Sequence, residues 1–474
     1  MSTYTPTIGI EIHAELKTAS KMFCSCKNDP HGSQSNTNVC PICLAHPGTL
    51  PTVNKEAVKK LLLVGRAIDG EIASYSEFDR KNYFYPDIPK AYQLSQYQFP
   101  FVKGGELAGV EITRIHLEED TARSQHQGDI SLVDFNRAGV PLMELVTEPV
   151  IHSAAEAVLF AKELQLLLRA LGVSDANMEK GEMRVEANIS ISDTDTLGTK
   201  VEVKNLNSFR AMEDAINYEI ERQKTVLQSH KSVIQETRGW NLAQNKTFVQ
   251  RVKETAEDYR YFSDPDIPKY DISKLPEFNN SRLDEDLSEI PSKTRVFLKD
   301  LGIESQQVEA VVNDLPALAF FKRVINQLEK SKADPSVLKA AANYITTDLA
   351  KLRQDHSEFE LDSANAIGFA KLMQMVSAGD ITSRVAKDLL FAITFEGSDP
   401  ELLAKEKGLL VDNSVETLTT LVNQLISDNP EVVAAYKGGK ITSLQFLLGQ
   451  AMKATKGAAN PKLLTELLTN KLSE

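Results

Sequence analysis

The run Thr7-Ile8-Gly9-Ile10-Glu11-Ile12-His13-Ala14-Glu15-Leu16 decides the fold. Ile8, Ile10, Ile12, Ala14 and Leu16 occupy every second position, and Gly9, Glu11, His13 and Glu15 fill the gaps. A period of two sends these sets to opposite faces of a β-strand, so one face is core and the other polar. Met183 to Ile191 repeats the pattern, with Met183, Val185, Ala187, Ile189 and Ile191 set against Arg184, Glu186, Asn188 and Ser190. A further strand is expected over Lys200 to Lys204, with Lys200, Glu202 and Lys204 on its polar face. Helices interrupt the strands. Ser153 reads as the N-cap of one that runs through Leu168 toward Gly172, a good terminating residue, and Arg210 to Leu227 reads as a second. This mixture predicts an α+β domain built on a largely antiparallel sheet.

Working outward, the strand-like alternation, all four cysteines and most histidines precede Ile290-Pro291. Beyond that point the chain reads as helices with short breaks, such as Asp334-Pro335 and Gly397-Ser398-Asp399-Pro400. Leu444, Leu447, Leu448, Ala451 and Met452 recur at helical spacing, and Asn460-Pro461 opens a last helix. The expected domains are therefore 1–290, α+β, containing the cysteine loop 24–43; 291–400, all-helical; and 401–474, a small helical tail. A chain of 474 residues suits this division, at roughly 100–200 residues per domain.

Hydrophobic residues at 42% and charged residues at 25% are ordinary globular values and exclude a disordered, collagen-like or small disulfide-scaffold protein. No apolar stretch approaches the ~18 residues of a membrane span. The start, Met1-Ser2-Thr3-Tyr4-Thr5-Pro6, has neither a secretory nor a transit pattern, so a cytoplasmic protein is expected. The net charge of −13 argues against a nonspecific polyanion binder. From Ala434 to Glu474, however, six lysines face two glutamates. That local surplus is either solvated surface or a contact for nucleic acid, with Lys453 and Lys456 flanking a helix-end turn.

The cysteines fall as Cys24-x-Cys26 and Cys40-x-x-Cys43, thirteen residues apart. Two short thiol pairs separated by a loop suit tetrahedral zinc, and nothing points to the secretion that disulfides require. A closed four-thiolate site leaves no position for substrate, so its expected role is structural.

Carboxylates supply a second signal. Glu11, His13 and Glu15 share one strand face, His116-Leu117-Glu118-Glu119-Asp120 ends another β-like segment, and Glu186 lies beside Arg184 and Asn188. Glu144 stands in the apolar run Val140-Pro141-Leu142-Met143-Glu144-Leu145-Val146. A carboxylate there needs a cation, either a core Arg or Lys or a metal. Oxygen-rich clusters of this kind suit Mg²⁺, and an imidazole suits a softer second ion. The loop Asp79-Arg80-Lys81-Asn82-Tyr83-Phe84-Tyr85-Pro86-Asp87 alternates cations with rings, which is either a packed aromatic turn or a surface for stacking unpaired RNA bases. The chain contains no GxxxxGK[ST] run, so any ATP site is not a P-loop. With every thiol claimed by the cysteine motif and no serine amidase segment visible, glutamine hydrolysis would need another chain.

Taken together, these segments closely resemble the GatB family, one of the subunits of the aspartyl/glutamyl-tRNA(Asn/Gln) amidotransferase. The resemblance runs nearly end to end, through the 8–16, 79–87 and 116–120 segments, Asp134-Phe135-Asn136-Arg137-Ala138-Gly139, Glu144-Leu145-Val146-Thr147-Glu148-Pro149 and Lys204-Asn205-Leu206-Asn207-Ser208. Asp258-Tyr259-Arg260-Tyr261-Phe262 and Gly449-Gln450-Ala451-Met452-Lys453 complete it. It implies a cradle domain with the kinase and transamidase site, a helical domain and a YqeY-like tail that reaches along the tRNA.

The implied reaction uses ATP and Mg²⁺ to phosphorylate the side-chain carboxylate of Glu-tRNA(Gln) and/or Asp-tRNA(Asn). Ammonia released from glutamine by the amidase partner, GatA, then displaces phosphate, and a small third partner, GatC, joins the two. The family's catalytic and Mg²⁺ residues map onto Glu11, His13, Glu119, Glu144 and Glu186. Relatives often carry Asp at the last position. Lys204 is a phosphate contact by position, and Arg80, Lys81, Tyr83, Tyr85, Lys453 and Lys456 are the expected tRNA contacts. Cys24, Cys26, Cys40 and Cys43 occur in part of the family, in keeping with structural Zn²⁺. A noncatalytic tRNA scaffold and a stand-alone zinc hydrolase are the competing readings. The archaeal paralogue, GatE, carries a large inserted domain for which this chain has no room.

Overall fold

A computed structural model describes residues 4–252, 259–287, 289–411, 415–455 and 457–473. Strand Thr5–Glu15 runs down the middle of a ten-stranded sheet, antiparallel to Pro141–Thr147 on one side and Met183–Ser192 on the other. Beyond Pro141–Thr147 lie Val110–Glu119, Val102–Lys103 and Glu71–Ile72, and beyond Met183–Ser192 lie Val201–Leu206, Glu236–Asn241 and Lys246–Val252. The parallel pair in this sheet is Val201–Leu206 with Glu236–Asn241. The strand expected over Lys200 to Lys204 is thus present as Val201–Leu206.

Register places the chemistry. Directly opposed residues share a face of the sheet. His13 opposes Glu144 on one side and Arg184 on the other, Glu144 in turn opposes His116, and Glu11 opposes Glu186. The other face is apolar. Ile8, Ile10, Ile12, Met143, Leu145, Val185, Ala187 and Ile189 are buried in one core, and helices Lys55–Ala67, Ala154–Ala170 and Phe209–Gln228 pack onto these strands. Ser153 caps the second of these helices, its hydroxyl accepting from the Glu156 amide, and Gly172 ends it with a φ of +62°. Covering one face with helices leaves the charged face open.

The chain forms two compact units, Met1–Pro291 and Ser292–Glu474. From Pro291 onward every described element is helical, as the change of character at Ile290-Pro291 indicated. The last four helices, Val415–Asp428, Pro430–Lys437, Thr442–Ala454 and Pro461–Ser473, share a core of Leu418, Val422, Leu447, Leu464, Leu468 and Leu472. Asn460 caps the final one, accepting from the Lys462 amide at 3.0 Å. Helix Pro400–Glu406 falls within the expected tail but packs on Ala366–Ala378 and Ser383–Thr394. Its buried Pro400 and Ala404 make that contact, so packing changes after this helix and not at 400/401. Among the described residues no helix is long and apolar enough to cross a membrane.

One side chain fastens the first helix to the start of the cysteine loop. Asn54 Oδ1 accepts from the amides of Glu56 and Ala57, while its Nδ2 donates to the carbonyls of Ser20 and Lys21. Asn54→Ala removes a cap and leaves those carbonyls short of a donor, so the full chain should lose about 2 kcal/mol in urea denaturation. Asn54→Asp keeps the cap acceptor and should lose less.

Candidate active site

Five glutamates and two histidines gather on the open face of the sheet in three overlapping groups: Glu11, His13 and Glu144; His116, Glu118 and Glu144; and Glu11, Glu186 and Glu202. Within each group the donor atoms lie within 4.8 Å of one another. His13 Nε2 stands 3.3 Å from Glu144, 3.4 Å from Glu118 and 3.9 Å from Glu11. His116 Nε2 is 3.4 Å from the same Glu144 oxygen, and Arg114 lies 3.7 Å from the other.

Charge in this cluster is settled by competition. Burial alone would make the His13 imidazole neutral, but hydrogen bonds to Glu118 and Glu144 outweigh it and raise its pKa well above the usual value. Burial also opposes ionisation of Glu144 and Glu118. His116 and His13 nevertheless hold Glu144 well below the ordinary carboxylate range, and the His13 hydrogen bond holds Glu118 below it. Glu11 goes the other way. Burial, then the charges of Glu144 and Glu186, push it up to about 7. Protons therefore balance a negative charge that the cations alone leave unmet, and the donor set fits a divalent ion such as Mg²⁺.

The cluster floors an open cleft of about 420 Å³. Lys204 lies 2.6 Å from Glu186. Arg184 is 2.9 Å from Asp120, which Arg137 also approaches at 3.7 Å. Lys81 projects into the cleft over the rings of Tyr259 (5.0 Å) and Tyr83 (5.9 Å). A chain of tyrosines continues along the rim: Tyr85 against Tyr83, Tyr83 against Tyr259, Tyr259 against Tyr261, and Tyr261 stacked on Tyr97 at 4.5 Å. Tyr85 and Tyr97 are at least half exposed.

The four cysteines form no disulfide, and their Sγ atoms converge to within 4.8 Å. Cys43 Sγ lies 3.9 Å from Cys40 Sγ and accepts the Cys40 amide at 3.2 Å. The Cys24 thiol, hydrogen-bonded to Cys43, and the nearby Lys21 draw the Cys43 thiol down to about 5, while burial pushes Cys26 up to about 11. Four convergent sulfurs with no disulfide fit a tetrahedral thiophilic ion such as Zn²⁺.

Of the residues expected from sequence, Glu11, His13, Glu186 and Lys204 line the cleft, and Glu144, buried, lies against His13. Glu119 is not among them. It follows Glu118 in strand Val110–Glu119, so it faces the other way, accepts from the Leu94 amide at 3.0 Å and pairs with Lys90. Glu118 stands in its place. Lys81, Tyr83 and Tyr85 line the cleft. Arg80 is engaged within the fold by Asp264 (2.6 Å) and Asp266 (3.0 Å) and lies over Tyr92 at 4.4 Å. Lys453 is exposed in the last turn of its helix, and Lys456 lies outside the described residues. Sequence reasoning passed over His116, Glu118, Arg184 and Glu202 as ligands or charge partners. Parity with Glu186 and Lys204 points to Arg184 and Glu202. In Val110–Glu119, however, the core-facing positions switch from Val110 and Ile112 to Ile115 and Leu117 across a register shift, so parity along that strand alone does not select His116 and Glu118.

Comparison with known proteins gives matches over both units. Residues 6–275 match the model of the GatB/GatE catalytic domain, and residues 320–472 match the GatB domain. The chain is 39% identical to the GatB subunit of the aspartyl/glutamyl-tRNA(Asn/Gln) amidotransferase from Persephonella marina, over 98% of each chain. It is 40% identical to the protein of that name in Thermomicrobium roseum and 41% identical to that in Herpetosiphon aurantiacus, over 99% of each chain in both cases.

The exchange of Glu119 for Glu118 is directly testable with Mn²⁺ as a paramagnetic substitute for Mg²⁺. Glu118→Gln should weaken Mn²⁺ binding by about tenfold or more, whereas Glu119→Gln should leave it within about twofold of wild type, since its carboxylate faces away. Glu119→Gln should instead lower stability by about 3 kcal/mol, because it strands the mostly buried Lys90. Electron paramagnetic resonance titration beside thermal melting reads both.

Proposed function

The chain belongs to the GatB/GatE family, and on that premise we propose that it is the kinase and transamidase subunit of a tRNA-dependent amidotransferase. Its substrates on this reading are ATP and a misacylated Glu-tRNA(Gln) and/or Asp-tRNA(Asn). It works in the cytoplasm with two partners. An amidase of the GatA kind supplies the ammonia, since no serine amidase segment is visible in this sequence and its thiols fall in the cysteine motif, and a small protein of the GatC kind completes the heterotrimer. The observation that carries the reading is the Glu11–His13–Glu118–Glu144–Glu186 cluster, ringed by Lys81, Arg184 and Lys204 on the open face of the sheet.

A carboxylate is a poor acyl donor. A side-chain carboxylate oxygen attacks the γ-phosphorus of ATP, the bond to the β-phosphate oxygen breaks, and ADP leaves. Ammonia then adds to the activated carbonyl carbon, the carbon–oxygen bond to phosphate breaks, a proton is lost and the amide remains. Such phosphoryl transfer depends on positioning and charge stabilisation more than on covalent help. Glu11, His13, Glu118, Glu144 and Glu186 would hold Mg²⁺, which would supply charge neutralisation for the phosphates. To take part, His13 would have to turn an unprotonated nitrogen toward the ion rather than toward Glu118 and Glu144. Lys204, held by Glu186 and Glu202, and Arg184, held by Asp120, are within the cleft to meet phosphate oxygens. Lys81 stands between the acids and the aromatic rim.

The tyrosines suit the single-stranded acceptor end, where stacking contributes about 1–3 kcal/mol per base. Lys81, Tyr83 and Tyr85 would make that contact, and Arg80 would support the loop from beneath. Lys453 and Lys456 would contact the tRNA body. Zn²⁺ on the cysteines would stabilise the loop and take no part in chemistry, because four thiolates fill its coordination.

Glu144→Gln should reduce single-turnover γ-phosphate transfer by about 100-fold or more, with the fold retained by circular dichroism and no rescue by added ammonia. Normal transfer would remove the cluster from catalysis. Replacing Lys453 and Lys456 together with Ala should lower the salt slope of tRNA binding by roughly 0.7–0.9 per lost phosphate contact, with little change in transfer at saturating tRNA.

A further inference from the structure

Lys21 is completely buried, and it is among the largest fully buried side chains of the protein. A buried ammonium is costly unless an anion and hydrogen-bond acceptors compensate it. Among the described residues Lys21 forms no ion pair with a carboxylate. Its Nζ donates to the carbonyl oxygen of Phe135 at 3.1 Å and to Cys43 Sγ at 3.8 Å. The carbonyl carries no net charge, and the nearby Glu119 carboxylate is engaged by Lys90, so of the two groups Lys21 donates to the sulfur is the one that can balance the ammonium.

We propose that Lys21 is the buried counter-charge of the four-cysteine site, holding Cys43 as the anionic ligand of a thiophilic divalent ion. The proposal rests on the metal reading of the cysteines and deepens it. Four thiolates around a divalent ion leave two net negative charges in a partly buried pocket, and one ammonium against one sulfur offsets half of that excess. The aim of the side chain is fixed from both ends of the surrounding backbone. The Lys21 amide donates to the Cys26 carbonyl at 3.0 Å, and the Met22 amide to the Gly139 carbonyl at 2.7 Å. Gly139, at a φ of +86°, lies flat against the pair: a Cβ there would stand 3.6 Å from Lys21 Cδ and 3.7 Å from Cys43 Cβ. The Cys40 amide approaches the same sulfur from another side at 3.2 Å. Lys21 is therefore a positioning residue for the metal site, and it does not touch the reacting groups.

The test uses the full chain loaded with zinc, with metal release to a chromogenic chelator as one readout and the thiolate-to-metal charge-transfer band of the Co²⁺-substituted protein as the other. Lys21→Met keeps the apolar stem and removes the charge. It should release zinc about tenfold faster or more than wild type and shift the Co²⁺ band. Lys21→Gln, which keeps a polar head, should also release zinc faster and serves as the measured variant if Lys21→Met does not fold. A folded variant that releases zinc at the wild-type rate, with an unchanged Co²⁺ band, overturns the role of Lys21 alone. A wild-type chain that binds neither zinc nor Co²⁺ overturns the metal reading and the proposal together.

Discussion

The imidazole of His13 between the carboxylates of Glu118 and Glu144, at 3.4 and 3.3 Å, is the interaction on which the cleft depends. Its residues come from three neighbouring strands, so it forms only when Thr5–Glu15 pairs with Pro141–Thr147, and that strand with Val110–Glu119, in one register. A slip of one residue would send His13 into the apolar core and Ile12 or Ala14 into the acids. The burial of Ile8, Ile10 and Ile12 beneath the helices and the gathering of charge above are two results of the same alternation. Hydrophobic burial fixes the register, and the fixed register forces like charges together. The cluster then meets that repulsion with protons on His13 and Glu11, the positions where a divalent ion would replace them.

Much of this was legible in the sequence, because periodicity is a local property. The strands, the Ser153 and Asn460 caps, the boundary near Ile290-Pro291 and the cysteine pairing pattern all depend on residues a few positions apart. What the sequence did not reveal depends on partners far along the chain. Glu118, Glu119 and Asp120 are three consecutive acids at a strand end, and which of them faces the cleft is set by pairing with Leu142 and Pro141. Arg80 reads as a surface cation until Asp264 and Asp266, more than 180 residues away, close on it. Lys21 reads as an ordinary lysine until the Asp134–Gly139 turn folds over it. Helix Pro400–Glu406 carries a normal start signal, and its neighbours rather than its own sequence decide which core it joins.

The cysteine loop and the cleft share a wall. Asn136 accepts the Asn38 amide at 2.8 Å and donates to the Gln34 carbonyl at 2.8 Å, tying the turn to the cysteine loop. The next residue, Arg137, donates to the carbonyls of Thr121 and Ala122 and lies against Asp120. Asp120 in turn holds Arg184 at the cleft edge, with burial opposed by Arg184 and Arg137 so that its carboxylate stays below the usual range. From the middle of the loop, His31 reaches Glu15, the last residue of the central strand, at 3.7 Å.

These contacts give a structural metal something to stabilise besides its own loop. Segment 20–50 has no helix and no strand longer than a single bridge, so its backbone is held largely by side chains, and an ion on the cysteines would add to them. Closing it with one ion would fix Asn38 and Phe23 relative to the sheet, and Asn38 donates to Asn136 in the turn that presents Arg137. Loss of the ion would return that entropy to the loop and loosen the support of Asp120, and with it the placement of Arg184, without moving any acid of the cluster itself. The sheet register sets the floor of the cleft and the cysteine loop braces one side of it, so the two halves of the site are stabilised by different physics: burial for the floor, and side-chain hydrogen bonding for the wall, to which an ion on the cysteines would add.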